Sequence, residues 1–397
     1  MQSTSPTRNL DRLRDETRGL NNVIHFNNAG ASLMADPVYE AVSGYLEEER
    51  EFGGYETFNR REAEINGFYS SCARLLNAEE NEIAFIENAT RAFNMAFYSF
   101  PFEPGDVILT SVAEYASNYI SYLQLASKKS LQIKVIPNDQ YNQTSTDELL
   151  KLIDSNVKLI AITHVPTNGG LVNPAKEIGE IARQNNIAYL LDACQSTGQL
   201  AIDVKEIGCD FLSATGRKYL RGPRATGFLY VSQMWVERLE PVFLDLHAAT
   251  WTGKDSYEIE KSAKRFECWE QNFAGKLGLK TAIDYACTLG LDWIETRVLE
   301  LAAYKRERLS QIDSITVYDA GVKKCGIVSF ASNNITASKI AELLKDEKIN
   351  VSYSTVEGTR LDMEVRELPD LVRSSIHYYN TEEEVDVLIN ALIKIGA

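Results

Sequence analysis

The chain has 397 residues, more than one compact core usually holds, so two domains are expected. Apolar residues make up 44% and charged residues 24%, the balance of an ordinary globular protein. A net charge of −15 argues against nucleic acid and anionic membrane surfaces as partners, and no apolar run approaches the ~18 residues of a membrane span.

The first residues, Met1-Gln-Ser-Thr-Ser-Pro-Thr-Arg8, lack the apolar centre of a signal peptide, which predicts a cytoplasmic protein. From about residue 80 to 235, short apolar runs alternate with helical patterns. Strands are expected at 82–86, 106–110, 132–136, 159–163, 187–191 and 227–231, with amphipathic stretches such as 146–153 and 174–185 between them. Such alternation predicts a mostly parallel sheet covered on both faces, with ligands beyond the carboxyl ends of its strands. After about residue 260 the texture changes. Helices are expected at 273–289, 294–312, 336–347 and 381–395, and strands at 326–330, 350–353 and 373–377. This reads as a smaller α+β unit. The expected division is an N-terminal arm at 1–20 joining the small domain, a large domain at 21–262 and a small domain at 263–397. Cys72, Cys194, Cys209, Cys268, Cys287 and Cys325 show no CxxC spacing, so reduced core cysteines are expected and no metal site.

Lys218 is the most informative residue. It lies in the Gly/Pro-rich stretch Ser213-Ala-Thr-Gly-Arg-Lys-Tyr-Leu-Arg-Gly-Pro-Arg224, 26 positions after Asp192, which closes the apolar run 187–191. A lysine in a turn and an acid at a strand end suit pyridoxal phosphate (PLP). The amine forms a Schiff base with the cofactor aldehyde, and the acid holds the pyridine nitrogen protonated. Phe85-Ile-Glu-Asn-Ala-Thr-Arg91 reads as a strand running into a helix start, where the N–H groups of Asn88, Ala89 and Thr90 suit a phosphate. Thr215 and Arg217 add a hydroxyl and a charge for the same group. Each signal alone has a plainer reading: Asn88 as a helix cap, Asp192 as a loop cap, Lys218 as a solvated lysine. Their order and strand-end positions together favour the cofactor.

The chain also resembles the fold-type I, class V aminotransferase family. That family includes cysteine desulfurases, selenocysteine lyases, isopenicillin N epimerase-like proteins and the C–S lyases of ergothioneine biosynthesis. The resemblance runs from about Phe26 to the C-terminus. It is carried by Phe26-Asn-Asn-Ala-Gly-Ala31, Glu87-Asn-Ala-Thr90, Glu114-Tyr-Ala-Ser-Asn118, His164-Val-Pro-Thr-Asn-Gly-Gly170, Asp192-Ala-Cys-Gln195, Thr215-Gly-Arg-Lys218, Gly222-Pro-Arg224 and the segment from Arg373 to Val385. The resemblance implies an α/β fold: a large domain with a mostly parallel seven-stranded sheet and a smaller C-terminal α+β domain. It also implies roles. Lys218 matches the Schiff-base lysine, Asp192 the acid at the ring nitrogen, and Gln195 the residue at the phenolic oxygen. Ala89, Thr90, Thr215 and Arg217 match the phosphate cup. Arg373 matches the arginine that grips the substrate α-carboxylate. Asn28, Ala29 and, for its charge near the mouth, Arg224 are expected as further substrate contacts.

Three departures stand out. Tyr115 occupies the slot over the ring that is usually His in desulfurases. Thr167, followed by Asn168, stands where an Asn is common, so either is a candidate for the phenolic oxygen. The segment from Ser354 to Arg373 has no cysteine, whereas desulfurases carry their nucleophile there. A persulfide-forming enzyme needs that thiolate. The remaining resemblance, including Arg265-Phe-Glu-Cys-Trp-Glu-Gln-Asn272, is to the epimerase-like and C–S lyase branch. It implies a homodimer with shared active sites, in which Asn272 or Glu270 reaches the partner's cofactor phosphate. The expected reaction is β-elimination from a cysteine-derived amino acid, giving pyruvate and ammonia, with Lys218 moving the α-proton and Tyr115 or Lys218 protonating the sulfur. Transamination or epimerisation uses the same chemistry and stays open, as does an inactive scaffold. Arg221 and Arg224 are expected near the mouth, binding either a second anion of the substrate or the phosphate and dimer surface.

Overall fold

The computed structural model describes residues 10–397; the part of the N-terminal arm at 1–9 lies outside the described residues. Seven strands form the main sheet: β1 (Ile83–Ile86), β2 (Val107–Ser111), β3 (Gln132–Ile136), β4 (Val157–Thr163), β5 (Ala188–Asp192), β6 (Phe211–Thr215) and β7 (Gly227–Val231). Their order is β1-β7-β6-β5-β4-β2-β3. Only β7 runs against the others, pairing antiparallel with β1 and β6. Six of the seven strands match expected runs. The sequence reading missed β6, Phe-Leu-Ser-Ala-Thr, because its last three residues are small or polar and break the apolar run.

The strands are apolar throughout because both faces are covered. Along β4, Ile160 and Ile162 enter one core with Tyr189, Leu191 and Leu212, while Leu159 and Ala161 enter the opposite core with Leu190, Phe211 and Leu229. The period-two alternation of strand side chains thus feeds two cores from one sequence run.

A second, antiparallel sheet has the order β8-β9-β11-β10, with β8 (Ile315–Val317), β9 (Ile327–Ser332), β10 (Ser352–Ser354) and β11 (Leu371–Ser375). It packs with the helices Ala337–Asp346 and Glu382–Lys394 around Phe330, Ile340, Val372 and Leu388. The N-terminal segment joins this part of the molecule: Ile24 and His25 pair in parallel with Ile349 and Asn350, and Leu13 packs with Tyr378 and Tyr379. The sequence reading assigned no element to the helices Asp36–Phe52 and Gly54–Leu76, whose apolar positions are interrupted by charge runs. The helix Phe273–Leu289 packs on both of them.

Arg221 ties these parts together, which corrects its expected place at the mouth. Its side chain is 2% exposed. It donates to Leu33 O at 2.8 Å, Tyr378 OH at 2.6 Å and Thr17 Oγ1 at 2.7 Å. The guanidinium also lies 4.8 Å from the ring of Tyr379 and 5.4 Å from that of Tyr378, within cation–π range. A cation already surrounded by acceptors and aromatic faces has no capacity left for a ligand. Arg221→Ala is expected to cost about 2–4 kcal/mol of stability, because three acceptors lose their donor inside the fold. Urea unfolding measures this loss, and a change under about 0.5 kcal/mol rules out the clamp.

Candidate active site

Register places the site. Parallel pairing sets Thr163 beside Asp192 and Asp192 beside Ser213, so β4 and β5 end level and β6 runs two residues further, to Thr215. Beside them, β1 runs into the helix Ala89–Ser99. Asn88 caps that helix, its side chain accepting from Arg91 N at 3.0 Å. The first N–H groups of such a helix have no partner within it. Gly227, at the start of β7, lies against this terminus: a Cβ there would stand 2.5 Å from Ala214 O and 3.3 Å from Ala89 N. Gly198 plays a similar part behind Lys218. Its φ is +94°, and a Cβ would stand 2.5 Å from the Tyr219 carbonyl carbon. Only glycine lets these backbones approach.

One cavity is lined by Asn88, Ala89, Thr90, Tyr115, Thr163, Val165, Thr167, Asp192, Cys194, Gln195, Thr215, Arg217 and Lys218. Ten of these thirteen are residues the sequence singled out. Asp192 is 4% exposed. Its Oδ1 accepts from Cys194 N at 2.9 Å and its Oδ2 from Asn118 Nδ2 at 2.8 Å, which fixes the carboxylate plane. The Lys218 side chain pairs with no carboxylate, and burial holds its amine below the ordinary lysine range, with Arg217 acting in the same direction. A lysine poised this way is more available as a nucleophile. Gln195 donates to Ala29 O at 3.1 Å, and its buried Oε1 has no partner.

An adjoining cavity of about 320 Å³ shares Tyr115, Thr167, Arg217 and Lys218 with the first and adds Asn27, Ala29, Gly30, Ala31, Arg224 and Arg373. Arg373, on β11, donates through Nη1 to Thr167 Oγ1 at 2.6 Å and Thr167 O at 3.2 Å. Its buried Nε has no partner. Arg217 donates to Gly30 O. Tyr115 is 37% exposed and precedes the helix Ala116–Lys129. A larger cleft of about 850 Å³, lined among others by Arg74, His164 and Asp203, contains none of these residues.

Three residues go elsewhere. Asn28 faces the fold, donating to Ser375 O at 2.8 Å and accepting from Tyr379 OH, so it does not line either cavity. Asn168 is buried on Thr359 and Met363, leaving Thr167 as the one in the cavity. Asn272 caps the helix Phe273–Leu289 through Gly275 N at 2.8 Å, and lines a separate cleft with Glu270, Tyr55 and Trp269.

Sequence reasoning missed the support behind Asp192. Asn118 Nδ2 also donates to Glu114 Oε1 at 3.0 Å. That oxygen accepts from Tyr115 N at 2.8 Å and from Thr163 Oγ1 as well. Glu114 Oε2 meets only hydroxyls, Thr110 Oγ1 at 2.9 Å and Tyr122 OH at 3.5 Å. Burial pushes the Glu114 carboxyl up to about 7, against the pull of Thr163, Asn118 and Tyr115. A proton fits on Oε2, because hydroxyls can turn to accept it. Glu114 and Asn118 lie four apart at a helix start, the spacing of one helical face, and that spacing was the available signal. Cys194, read as a core cysteine, lines the cavity.

The site offers an amine, a buried carboxylate, a helix N-terminus with Thr90, Thr215 and Arg217 beside it, and unpartnered polar atoms on Gln195 and Arg373. That donor set fits an aldehyde-bearing pyridine phosphate. Fold and site together define a PLP-dependent enzyme of fold-type I. The family model for class V aminotransferases matches residues 24–388, and the chain belongs to that family. It is 29% identical to a probable cysteine desulfurase of Methanothermobacter thermautotrophicus, over 100% of this chain and 98% of that protein. It is 29% identical to a cysteine desulfurase of Salmonella agona, over 96% and 95% of the two chains. Among solved structures, the apo cysteine desulfurase of Thermococcus onnurineus superposes with a TM-score of 0.91 at 27% identity, covering 97% of both chains. The cystine C–S lyase C-DES, in complex with cysteine persulfide, shares the fold with a TM-score of 0.86 at 21% identity, covering 95% of this chain and 98% of that one.

The raised Glu114 carboxyl has a consequence for stability. The folded protein binds this proton more tightly than the unfolded chain does. Its stabilising contribution is therefore complete below the ordinary glutamate range and is lost as pH rises through about 7. Glu114→Gln mimics the protonated form, with its amide on the hydroxyl side. The variant is expected to fold and to lose on the order of 1–3 kcal/mol less stability than the wild type between pH 5 and 8. Parallel stability–pH curves of the two proteins, measured free of cofactor, contradict a neutral Glu114.

Proposed function

We propose that the protein is a C–S lyase that eliminates the sulfur substituent of a cysteine-derived amino acid, releasing pyruvate and ammonia. PLP, when bound, supplies an aldehyde that takes up amines and a ring that withdraws electrons from the substrate Cα. Lys218 would be the amine that holds the cofactor and would serve as the base at Cα. Asp192, held by Asn118 and Cys194 N, keeps a proton on the ring nitrogen. Thr167 and Gln195 adjoin the phenolic oxygen. Ala89, Thr90, Thr215 and Arg217 hold the phosphate, and Arg373 takes the α-carboxylate with its free Nε. Tyr115, which lines both cavities, would lie beside the ring and could protonate the leaving sulfur. Exposed Tyr55 and Trp269, beside Asn272 and Glu270, support a homodimer whose partner meets the cofactor through this surface. All six cysteines are free, which supports a cytoplasmic setting.

The names of the curated relatives favour a second reading, cysteine desulfurase. One observation carries the lyase reading instead. The segment between β10 and β11 has no cysteine, and Cys194 is the one cysteine lining the cavity. Burial pushes the Cys194 thiol well above the ordinary range, with Asp192 adding to the shift. A thiol kept protonated in this way is a poor nucleophile.

Product analysis separates the readings. Holoenzyme given L-cysteine or L-cystine is expected to form pyruvate and ammonia in equal amounts, without alanine. Alanine with protein-bound persulfide establishes the desulfurase, and racemised or keto-acid-exchanged substrate establishes epimerase or aminotransferase chemistry. Lys218→Ala should abolish both turnover and covalent cofactor attachment, and Asp192→Ala should lower kcat at least ~10²-fold. Full activity in Lys218→Ala removes the assignment.

A further inference from the structure

The outer cavity is unusual in its charge. Arg217, Lys218, Arg224 and Arg373 all line the outer cavity, the first two lining the inner one as well, and no Asp or Glu lines the outer one. Among the described residues none of the four forms an ion pair with a carboxylate, in a chain whose net charge is −15. The cations also burden one another: Arg224 and Arg373 both act against Arg217 or are acted on by it, on top of burial. Such an arrangement is costly unless anions fill it.

Two anions are accounted for by the proposed function. The cofactor phosphate belongs to the helix terminus at Ala89 and Thr90, with Arg217. The α-carboxylate belongs to Arg373. Arg224 serves neither. It lines the outer cavity but not the inner one that holds the helix terminus, and among the described residues its exposed side chain has no hydrogen bond or ion pair. Its backbone is nevertheless fixed. Arg221 and Ala225 on either side have φ of 61° and 56°, a left-handed conformation that costs a non-glycine residue ~1–2 kcal/mol. Arg221 is clamped as described above, and its N–H donates to Lys218 O at 2.9 Å. A strained, anchored loop thus presents a free guanidinium to the substrate side of the site.

We propose that Arg224 recognises a carboxylate at the far end of the substrate's sulfur substituent, making the substrate class the S-carboxyalkyl conjugates of cysteine. The inference rests on the C–S lyase reading. Lys218 takes the α-proton, the Cβ–S bond breaks with its electron pair going to sulfur, and sulfur takes a proton. With one water, the conjugate yields a carboxyalkyl thiol, pyruvate and ammonium.

S-(2-carboxyethyl)-L-cysteine and S-(2-carbamoylethyl)-L-cysteine are nearly isosteric and differ in that charge. The wild-type holoenzyme is expected to favour the first at least tenfold in kcat/KM, measured by pyruvate release. Arg224→Gln should cut this ratio at least fivefold, and Arg224→Lys should restore part of it. A second readout needs no turnover: calorimetry of glutarate and butyrate binding to the holoenzyme, with glutarate tighter in the wild type and the difference lost in Arg224→Gln. Pyruvate formed equally well from both conjugates overturns the anion site and leaves the lyase reading standing. A glutarate preference that depends on Arg224, with no pyruvate from either conjugate, sinks the lyase reading and leaves the anion site standing.

Discussion

The register of three parallel strands is the constraint on which the rest depends. Because Thr163 pairs with Asp192 and Asp192 with Ser213, with β6 ending two residues further on, the loops leaving β4, β5 and β6 start at the same edge of the sheet. They deliver Thr167, Gln195, Arg217 and Lys218 into one cavity. A slip of one residue in β5 would turn Asp192 to the other face of the sheet. The two apolar cores, each fed by alternate residues of the same strands, prevent that slip. Packing that appears purely structural is therefore what aims the carboxylate.

Electrostatics give the site its direction. The cavity floor carries one carboxylate, Asp192, and its walls carry Arg217, Lys218 and Arg373. A second carboxyl, Glu114, stands behind the first and shares the donor Asn118 with it. Two ionised carboxyls at that separation would repel each other, and burial resolves the conflict by favouring a proton on Glu114. Asp192 is the carboxylate that lines the inner cavity. Around it the excess of cations matches the anionic groups that a phosphorylated cofactor and an amino acid bring.

The inner half of the site was legible in the sequence because strand ends and helix starts are local signals. Asn88, Asp192 and Lys218 each sit at the close of an apolar run or the opening of a turn, and the family pattern supplied their roles. Where the signal is not local, the reading failed. The β6 strand is too polar at its end to show as a strand, though it carries Thr215. Asn118 entered only as the last residue of the family segment Glu114–Asn118, and nothing in its neighbours announces that Asp192 lies 2.8 Å away across the fold. The same holds for Asn28, placed among the substrate contacts by resemblance and found satisfied by Ser375 O and Tyr379 OH.

Arg221 and Arg224 show the limit most clearly. Three positions apart in one basic turn, they are indistinguishable by composition. The structure separates them by their partners. Arg221 is enclosed by chain segments about 200 residues before it and more than 150 after it. Its contacts join the N-terminal arm, the 26–33 loop and the strand exit after β11. The substrate half of the cavity is built from the same segments: Asn27 and Ala29 from one, Arg373 from another. The clamp and that half of the cavity therefore depend on the same chain segments. Arg224, left without partners by the same loop geometry, is the residue free to contact something that is not part of the chain. Within a single turn, the satisfied arginine belongs to the fold and the unsatisfied one to the ligand.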